Sequence, residues 1–349
     1  MQPTRTRIFV RVGSLVAAIV VFGSVKPMSA QQFDPVCKPL QLQTLAKKQS
    51  IDTGSGTATG KDCPAEGKPA AALSADQTSA HETQNRLKNN FCAPGSADNQ
   101  PSAPLQPPLL KLSSFNQLQK QVNAVDKKMF PRGSPFSDLP TDRSLIGKDK
   151  LSPLPGNISV GEGDVVTLVA FVLGSGHSDI PKGESVNCNF PRCIDNDIHI
   201  ALVQKPGADE CTSVTAEIVP HFRPAAWESF DSPSFRSFLS NHPVLLTGQL
   251  FFDASHTPCS GKKKITPKQA KAQGIKPDPP RGNPARRSSW EIHPVYAISV
   301  CKFTTTGKCK PSDQTAWLPF DQLPQHLHLK ASQILPGVLK GTNTSCARH

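Results

Sequence analysis

From residue 161 onward the hydrophobic positions follow strand patterning. "GDVVTLVAFVLGSG" is a β-branched and aliphatic run bounded by glycines, and "DIHIALV", "SVTAEIVPHF", "HPVLLTGQLFFD" and "IHPVYAISVC" each read as a further strand. Between the third and fourth runs, "SPSFRSFLSN" predicts a short helix. Ser232 is its cap, Pro233 its first residue, and Phe235, Phe238 and Leu239 lie on one face. Three strands, a helix and two strands is the order of an OB-fold, whereas a β-sandwich needs about seven strands. The expected fold class is therefore mainly β: an OB-fold-like five-stranded barrel with one helix between strands three and four.

Upstream, residues 31–158 are patterned more weakly. Residues 54–79 are small and polar, 94–108 are proline-rich, and both read as linkers. Two short helices interrupt this loosely structured N-terminal region. One covers roughly 79–90. The other carries Phe115, Leu118, Val122, Val125 and Met129 at spacings of three and four, with Ser113 or Ser114 as cap and Pro131 as stop. Two heptads are too few to hold a coiled coil, so this stripe is expected to dock on the barrel domain. The domain organisation is a signal peptide at 1–30, the Pro/Gly/Ser-rich region at 31–158, the barrel at 159–305 with an insert at 261–287, and a C-terminal tail at 306–349.

The signal peptide rests on Arg5, Arg7 and Arg11, which precede an apolar stretch over 12–25 ending at Met28, Ser29 and Ala30. Later segments are too short or too polar to span a bilayer, so the mature chain is expected to be secreted or periplasmic. Export makes disulfides the natural reading of the ten cysteines. Cys37, Cys63 and Cys92 precede the barrel and seven follow, so complete pairing within one chain requires a bridge between the two groups. Cys188 with Cys193, and Cys301 with Cys309, are too widely spaced for a zinc ribbon.

Charge singles out one segment. The formal net charge is +12, and cleavage after Ala30 removes Arg5, Arg7, Arg11 and Lys26 to leave +8, which equals the net charge of residues 261–287 alone. In an OB-fold the loop between strands four and five borders the ligand groove, and here that loop is the insert. Lys262, Lys263, Lys264, Arg286 and Arg287 are thus candidates to hold a polyanion, either an envelope polymer or nucleic acid. Aromatic residues for base stacking are scarce, with Tyr296 the sole tyrosine and Phe251 the best outward candidate. A solvated, proline-rich loop is the competing reading.

Strand alternation places the candidate chemistry. Ile198, Ile200 and Leu202 share one face of their strand, and Asp197 and His199 share the other. Asp253 ends the fourth strand with His256 in the turn beyond, while Glu291 and His293 project together, opposite Trp290. The candidate ligand-binding residues are Asp197, His199, Asp253, His256, Trp290, Glu291 and His293. His199, His256 and His293 with a carboxylate would form a ligand set for zinc, with a spare Glu as general base. No HExxH or GxSxG motif is present. The competing structural reading has Glu291 and His293 bonding backbone groups where the long loop re-enters the barrel.

The stretches "DIHIAL", "LLTGQLFFDASH" and "WEIHPV" resemble an uncharacterised group of exported bacterial proteins whose shared domain spans about residues 160–302 here. The resemblance implies a barrel-like domain and an extracytoplasmic setting, and it implies no activity. The long basic insert departs from that pattern. The function expected from the sequence is an exported binding or envelope-associated module, with the insert as a polyanion site and no resident cofactor. The alternative is a metal-dependent hydrolase using zinc at the His/Asp/Glu cluster.

Overall fold

The structure, a computed structural model, describes residues 67–68, 75–88, 107–125, 143–177, 183–190, 195–220, 223, 225–256, 258–259 and 286–329. The elements in chain order are α1 (Ala75–Lys88), β1 (Leu109–Leu110), α2 (Leu112–Val125), β2 (Val165–His177), β3 (Ile198–Val203), β4 (Val214–Ile218), α3 (Pro233–Leu239), β5 (Val244–Phe252), β6 (Trp290–Cys301), β7 (Trp317–Pro319) and α4 (Leu323–His326).

Five of the strands close into a barrel in the order β2-β3-β4-β6-β5, with β5 returning to β2. Closure depends on the length of β2. Its first half, from Val165 to Ala170, pairs antiparallel with β5, and its second half, from Phe171 to His177, pairs with β3 past an irregularity between Val172 and Gly174. The β4–β6 contact is parallel and brief, with Ala216 opposite Ile292. This is the OB-like topology expected from the element order, with α3 between the third and fourth barrel strands. Two short strands extend it: β1 runs parallel to β2, and β7 pairs with the end of β6.

Alternation fills the barrel as the sequence predicts. Leu168, Ile198, Ile200, Leu202, Ala216, Ile218, Leu246, Leu250 and Ile292 are all buried in one apolar cluster. Trp290 joins that cluster, fully buried, with its ring edge-on to Phe252 at 5.3 Å between centroids. Ser232 caps α3 by accepting from the Phe235 amide, Pro233 opens the helix, and Phe235 packs on Phe320 at 5.1 Å. Phe320 and Leu323 belong to the core, so part of the expected C-terminal tail completes the barrel. Gly248 marks a close approach of β5 to β6. A β-carbon there would lie 2.4 Å from the Ile292 side chain and 2.5 Å from the Pro294 carbonyl oxygen, so no larger residue fits.

The helix α2 docks on the barrel through its apolar stripe. Phe115, Leu118 and Val122 are fully buried, whereas Val125 is largely exposed and Met129 and Pro131 lie outside the described residues. The helix starts at Leu112, ahead of both predicted caps, and the Ser114 hydroxyl accepts from the Lys111 amide. Gln119 Oε1 accepts from the Ser289 amide (2.7 Å) and the Ser288 hydroxyl (3.1 Å), which fixes the approach of the chain to β6. The expected helix at 79–90 is α1, which begins earlier and ends at Lys88.

Two disulfides lie wholly among the described residues. Cys301 and Cys309 close a short loop beyond β6, and Cys211 and Cys259 tie the β3–β4 connection to the start of the insert. Cys188 is also disulfide-bonded. Cys37, Cys63, Cys92, Cys193 and Cys346 lie outside the described residues, as do the signal peptide and Lys262, Lys263 and Lys264. The two ends of the insert are pinched together. The Cys259 amide donates to the Arg286 carbonyl at 2.8 Å, and the Arg287 amide donates to the Ser213 carbonyl at 2.9 Å. Among the described residues, no helix is long and apolar enough to cross a membrane.

Candidate metal centre

The outer faces of β3, β4 and β6 carry charged and aromatic side chains, and α1 lies across them. His199 of β3 stands opposite Glu217 of β4, because the antiparallel register pairs them directly. His293 of β6 reaches the same place from the other side, since β6 runs beside β4. Asp197 arrives at the start of β3. Glu184 comes from residues 183–190, where its Oε2 accepts from the Asp197 amide (3.1 Å) and the Asn187 side chain (3.1 Å).

These residues form a tight constellation. The His293 Nε2 atom is 2.7 Å from Glu217 Oε2 and 3.3 Å from Asp197 Oδ2. His199 Nε2 is 3.1 Å from Glu184 Oε1 and 3.6 Å from Glu217 Oε2. Two sets of ligand atoms, from Glu184, Asp197, His199 and Glu217 and from Glu217, Glu291 and His293, each fall within 4.8 Å of one another. Glu217 belongs to both. Asp197, Glu217, Glu291 and His293 are fully buried, and the His199 side chain, 35 % exposed, forms the open edge.

The hydrogen bonding around these atoms is unusual. His293 Nε2, Asp197 Oδ2 and Glu217 Oε2 are close enough to bond, yet none makes a hydrogen bond of acceptable direction; His293 Nδ1 and Glu291 Oε1 are also without one. The charged atoms meet as close ion pairs at 2.7 and 3.3 Å in place of well-directed hydrogen bonds. A tetrahedral ion with bonds of about 2.0–2.1 Å would set its ligand atoms roughly 3.3 Å apart. The imidazole–carboxylate separations of 2.7, 3.3 and 3.6 Å around Glu217 and His293 bracket that edge length. Imidazole nitrogen and carboxylate oxygen are the donors that suit zinc and neighbouring divalent ions.

Carboxylates outnumber the fixed cations in this layer. Glu184, Asp197, Glu217, Asp253 and Glu291 gather here, and the permanent cations beside them are Lys88, 3.8 Å from Glu217, and Arg286, 2.9 Å from Glu291 and 3.6 Å from Asp253. Arg143 is taken up by Glu162 and the Phe252 carbonyl. The remaining negative charge has to be met by protonated imidazoles or by a bound cation. Burial alone would lower both imidazoles, but Glu217 and the neighbouring carboxylates push His293 up to about 10 and His199 up to about 9. Burial and then repulsion from Glu217 and Asp253 push Glu291 up to about 8. Burial also raises Asp197. Glu217 is held well below the usual carboxylate range despite its burial, by His199, Lys88 and His293.

Of the residues singled out from sequence, Asp197, His199, Glu291 and His293 converge. Asp197 points into this buried layer rather than into solvent. Glu291 and His293 do not bond the backbone: Glu291 pairs with Arg286, and His293 faces Asp197 and Glu217. His256 stands apart, bonded through Nδ1 to Asp253, whose carboxylate also accepts from the Ser255 amide at 3.0 Å. Trp290 serves the core and takes no part in the cluster. Arg286 is buried and turned inward, so it is not offered to a polyanion, and Arg287 donates Nε to the Thr212 carbonyl at 2.6 Å. Glu217, Glu184 and Lys88 were not among the sequence candidates. Glu217 had a usable signal, since it alternates with the inward Ala216 and Ile218 of its strand; Glu184 and Lys88 had none of that kind.

The chain is thus an OB-like barrel whose outer face carries a buried imidazole–carboxylate centre. No family model, curated protein or solved structure matches the chain.

Proposed function

We propose that the protein is an exported metal-binding module, in which Glu217, shared by the group of Glu184, Asp197 and His199 and the group of Glu291 and His293, anchors a divalent ion on the outer face of the barrel. One observation carries this reading: His293 Nε2 lies 2.7 Å from Glu217 Oε2 and 3.3 Å from Asp197 Oδ2, and His199 Nε2 lies 3.6 Å from the same Glu217 oxygen, with no well-directed hydrogen bond at His293 Nε2. Imidazole nitrogen and carboxylate oxygen suit a zinc-like ion, and Glu184 Oε1, 3.1 Å from the same His199 Nε2 that faces Glu217, is a further ligand atom of that group. A location outside the cytoplasm accords with the disulfides and with the leader-like N-terminus.

Metal analysis of the oxidised, untagged protein after dialysis against zinc tests the proposal. One equivalent of zinc is expected in the parent and less than a tenth of that in Glu217→Gln and His293→Ala, both checked for folding by circular dichroism. A parent protein that holds no zinc and gains no thermal stability from it would overturn the reading.

A hydrolytic reading draws on the exposed edge at His199, the side from which water would reach the ion and be activated by it. The polyanion reading now rests on Lys262, Lys263 and Lys264, since Arg286 is spent on Glu291 and Asp253.

A further inference from the structure

The helix that covers the centre is held by charge and hydrogen bonds rather than by apolar contact. Among the described side chains of α1, the buried ones are Ala80, His81, Gln84, Asn85, Leu87 and Lys88, of which only Ala80 and Leu87 are apolar. A helix without an apolar stripe docks through its polar contacts. Gln84 Nε2 reaches Asp253 Oδ1 and Ser255 Oγ at 3.4 Å each, Arg143 donates to Gln84 Oε1 at 3.3 Å, and Gln249 donates to the Leu87 carbonyl at 3.0 Å. Lys88, in the last turn, places Nζ 3.8 Å from Glu217 Oε2 and over the Phe251 ring at 5.9 Å.

Both imidazoles approach Glu217 Oε2, and Glu217 belongs to both groups of ligands. A divalent ion bonded to it would face the Lys88 ammonium across a few ångströms of dry protein, where like charges repel far more strongly than in water. The ammonium is relieved if it moves away, and α1 has little apolar surface to hold it in place.

We propose that Lys88 and a divalent ion are alternative cationic occupants of the carboxylate layer, so that metal loading drives Lys88, and α1 with it, off the barrel face. This rests on the metal-site reading given above. Linkage makes the effect reciprocal: whatever factor a docked Lys88 takes from metal affinity, bound metal takes from the docking of α1. The centre is then a metal-responsive latch, closed by a lysine when metal is scarce.

Two measurements on the oxidised full-length mature chain test this. Zinc affinity, read by competition with a chromophoric chelator, is expected to rise at least tenfold in Lys88→Met, which keeps the stem and removes the charge. Hydrogen exchange followed by mass spectrometry is expected to show residues 75–88 of the parent protected without zinc and unprotected with it, while β3 and β6 stay protected. The second measurement needs no variant and decides the matter if Lys88→Met folds poorly. Zinc that binds while residues 75–88 stay protected, or binds Lys88→Met no more tightly, would overturn the latch and leave the metal site standing. Failure of zinc to bind both proteins would overturn the site itself.

Discussion

Freed of metal, the protein should be most stable on the acid side of neutrality and should lose stability as the pH rises from 7 to 9. His293 titrates near 10 in the folded state, against an ordinary value of 6.5, so the folded chain keeps a proton that the unfolded chain has released. The stability this confers is fully present below 6.5 and is lost as the pH climbs through the folded value. His199, near 9, and Glu291, raised from 4.5 to about 8, act in the same direction over their own ranges. One proton of difference is worth about 1.36 kcal/mol per pH unit, so His293 alone costs about 2.5 kcal/mol between pH 7 and 9. His199 adds less because solvent reaches its ring, and the groups share Glu217, so their effects do not sum. Glu217 and Asp253, both held well below their ordinary values, set the acid limit: their contribution is present above about pH 4.5 and falls away below it. Urea unfolding followed by tryptophan fluorescence, in EDTA at half-unit steps from pH 5 to 9.5, measures the slope. His293→Gln should flatten it, and saturating zinc should reverse it, since a metal binds neutral imidazole. A free energy of unfolding that stays level or rises from pH 7 to 9 in metal-free parent protein would refute the assignment of proton-holding histidines to this layer.

Two further predictions concern the scaffold. Gly248→Ala should cost about 1 to 3 kcal/mol in urea titration, because the new methyl meets the Pro294 carbonyl and Ile292; an unchanged midpoint would show that β5 and β6 can part there. Removing the Cys211–Cys259 bridge should destabilise by about 4 kcal/mol and removing Cys301–Cys309 by about 2.5 kcal/mol, following the logarithm of the loop each closes, and paired Cys→Ala variants ranked in the opposite order would argue against a loop-entropy origin.

The barrel was legible because its signals are local. Alternation in "DIHIALV", the Ser-Pro start of α3 and the strand–helix order together specify five strands and their faces, and α2 declared its buried side through Phe115, Leu118 and Val122. The site was half legible. Asp197, His199, Glu291 and His293 stood out because two strands each carry a carboxylate and an imidazole two residues apart. Glu217 escaped because a single Glu among apolar neighbours looks like any solvent-facing strand residue until the pairing with His199 is known. His256 misled for the converse reason: its nearest carboxylate is three residues away in its own turn, a local bond that sequence proximity cannot distinguish from a long-range one. Lys88 was invisible because α1 lacks an apolar stripe, and nothing in its periodicity says which face it buries.

The pinched base of the insert has a consequence for how this protein can change. With Cys259 bonded to Cys211, and the Cys259 amide on the Arg286 carbonyl, the barrel meets the chain at two points fixed side by side, whatever residues 260–285 contain. Closing a longer loop across fixed ends costs only about 0.6 kcal/mol per doubling of its length. That stem is therefore a socket: lineages can lengthen, recharge or replace what it carries, and an experimenter can graft a reporter domain there, without the five strands registering the exchange.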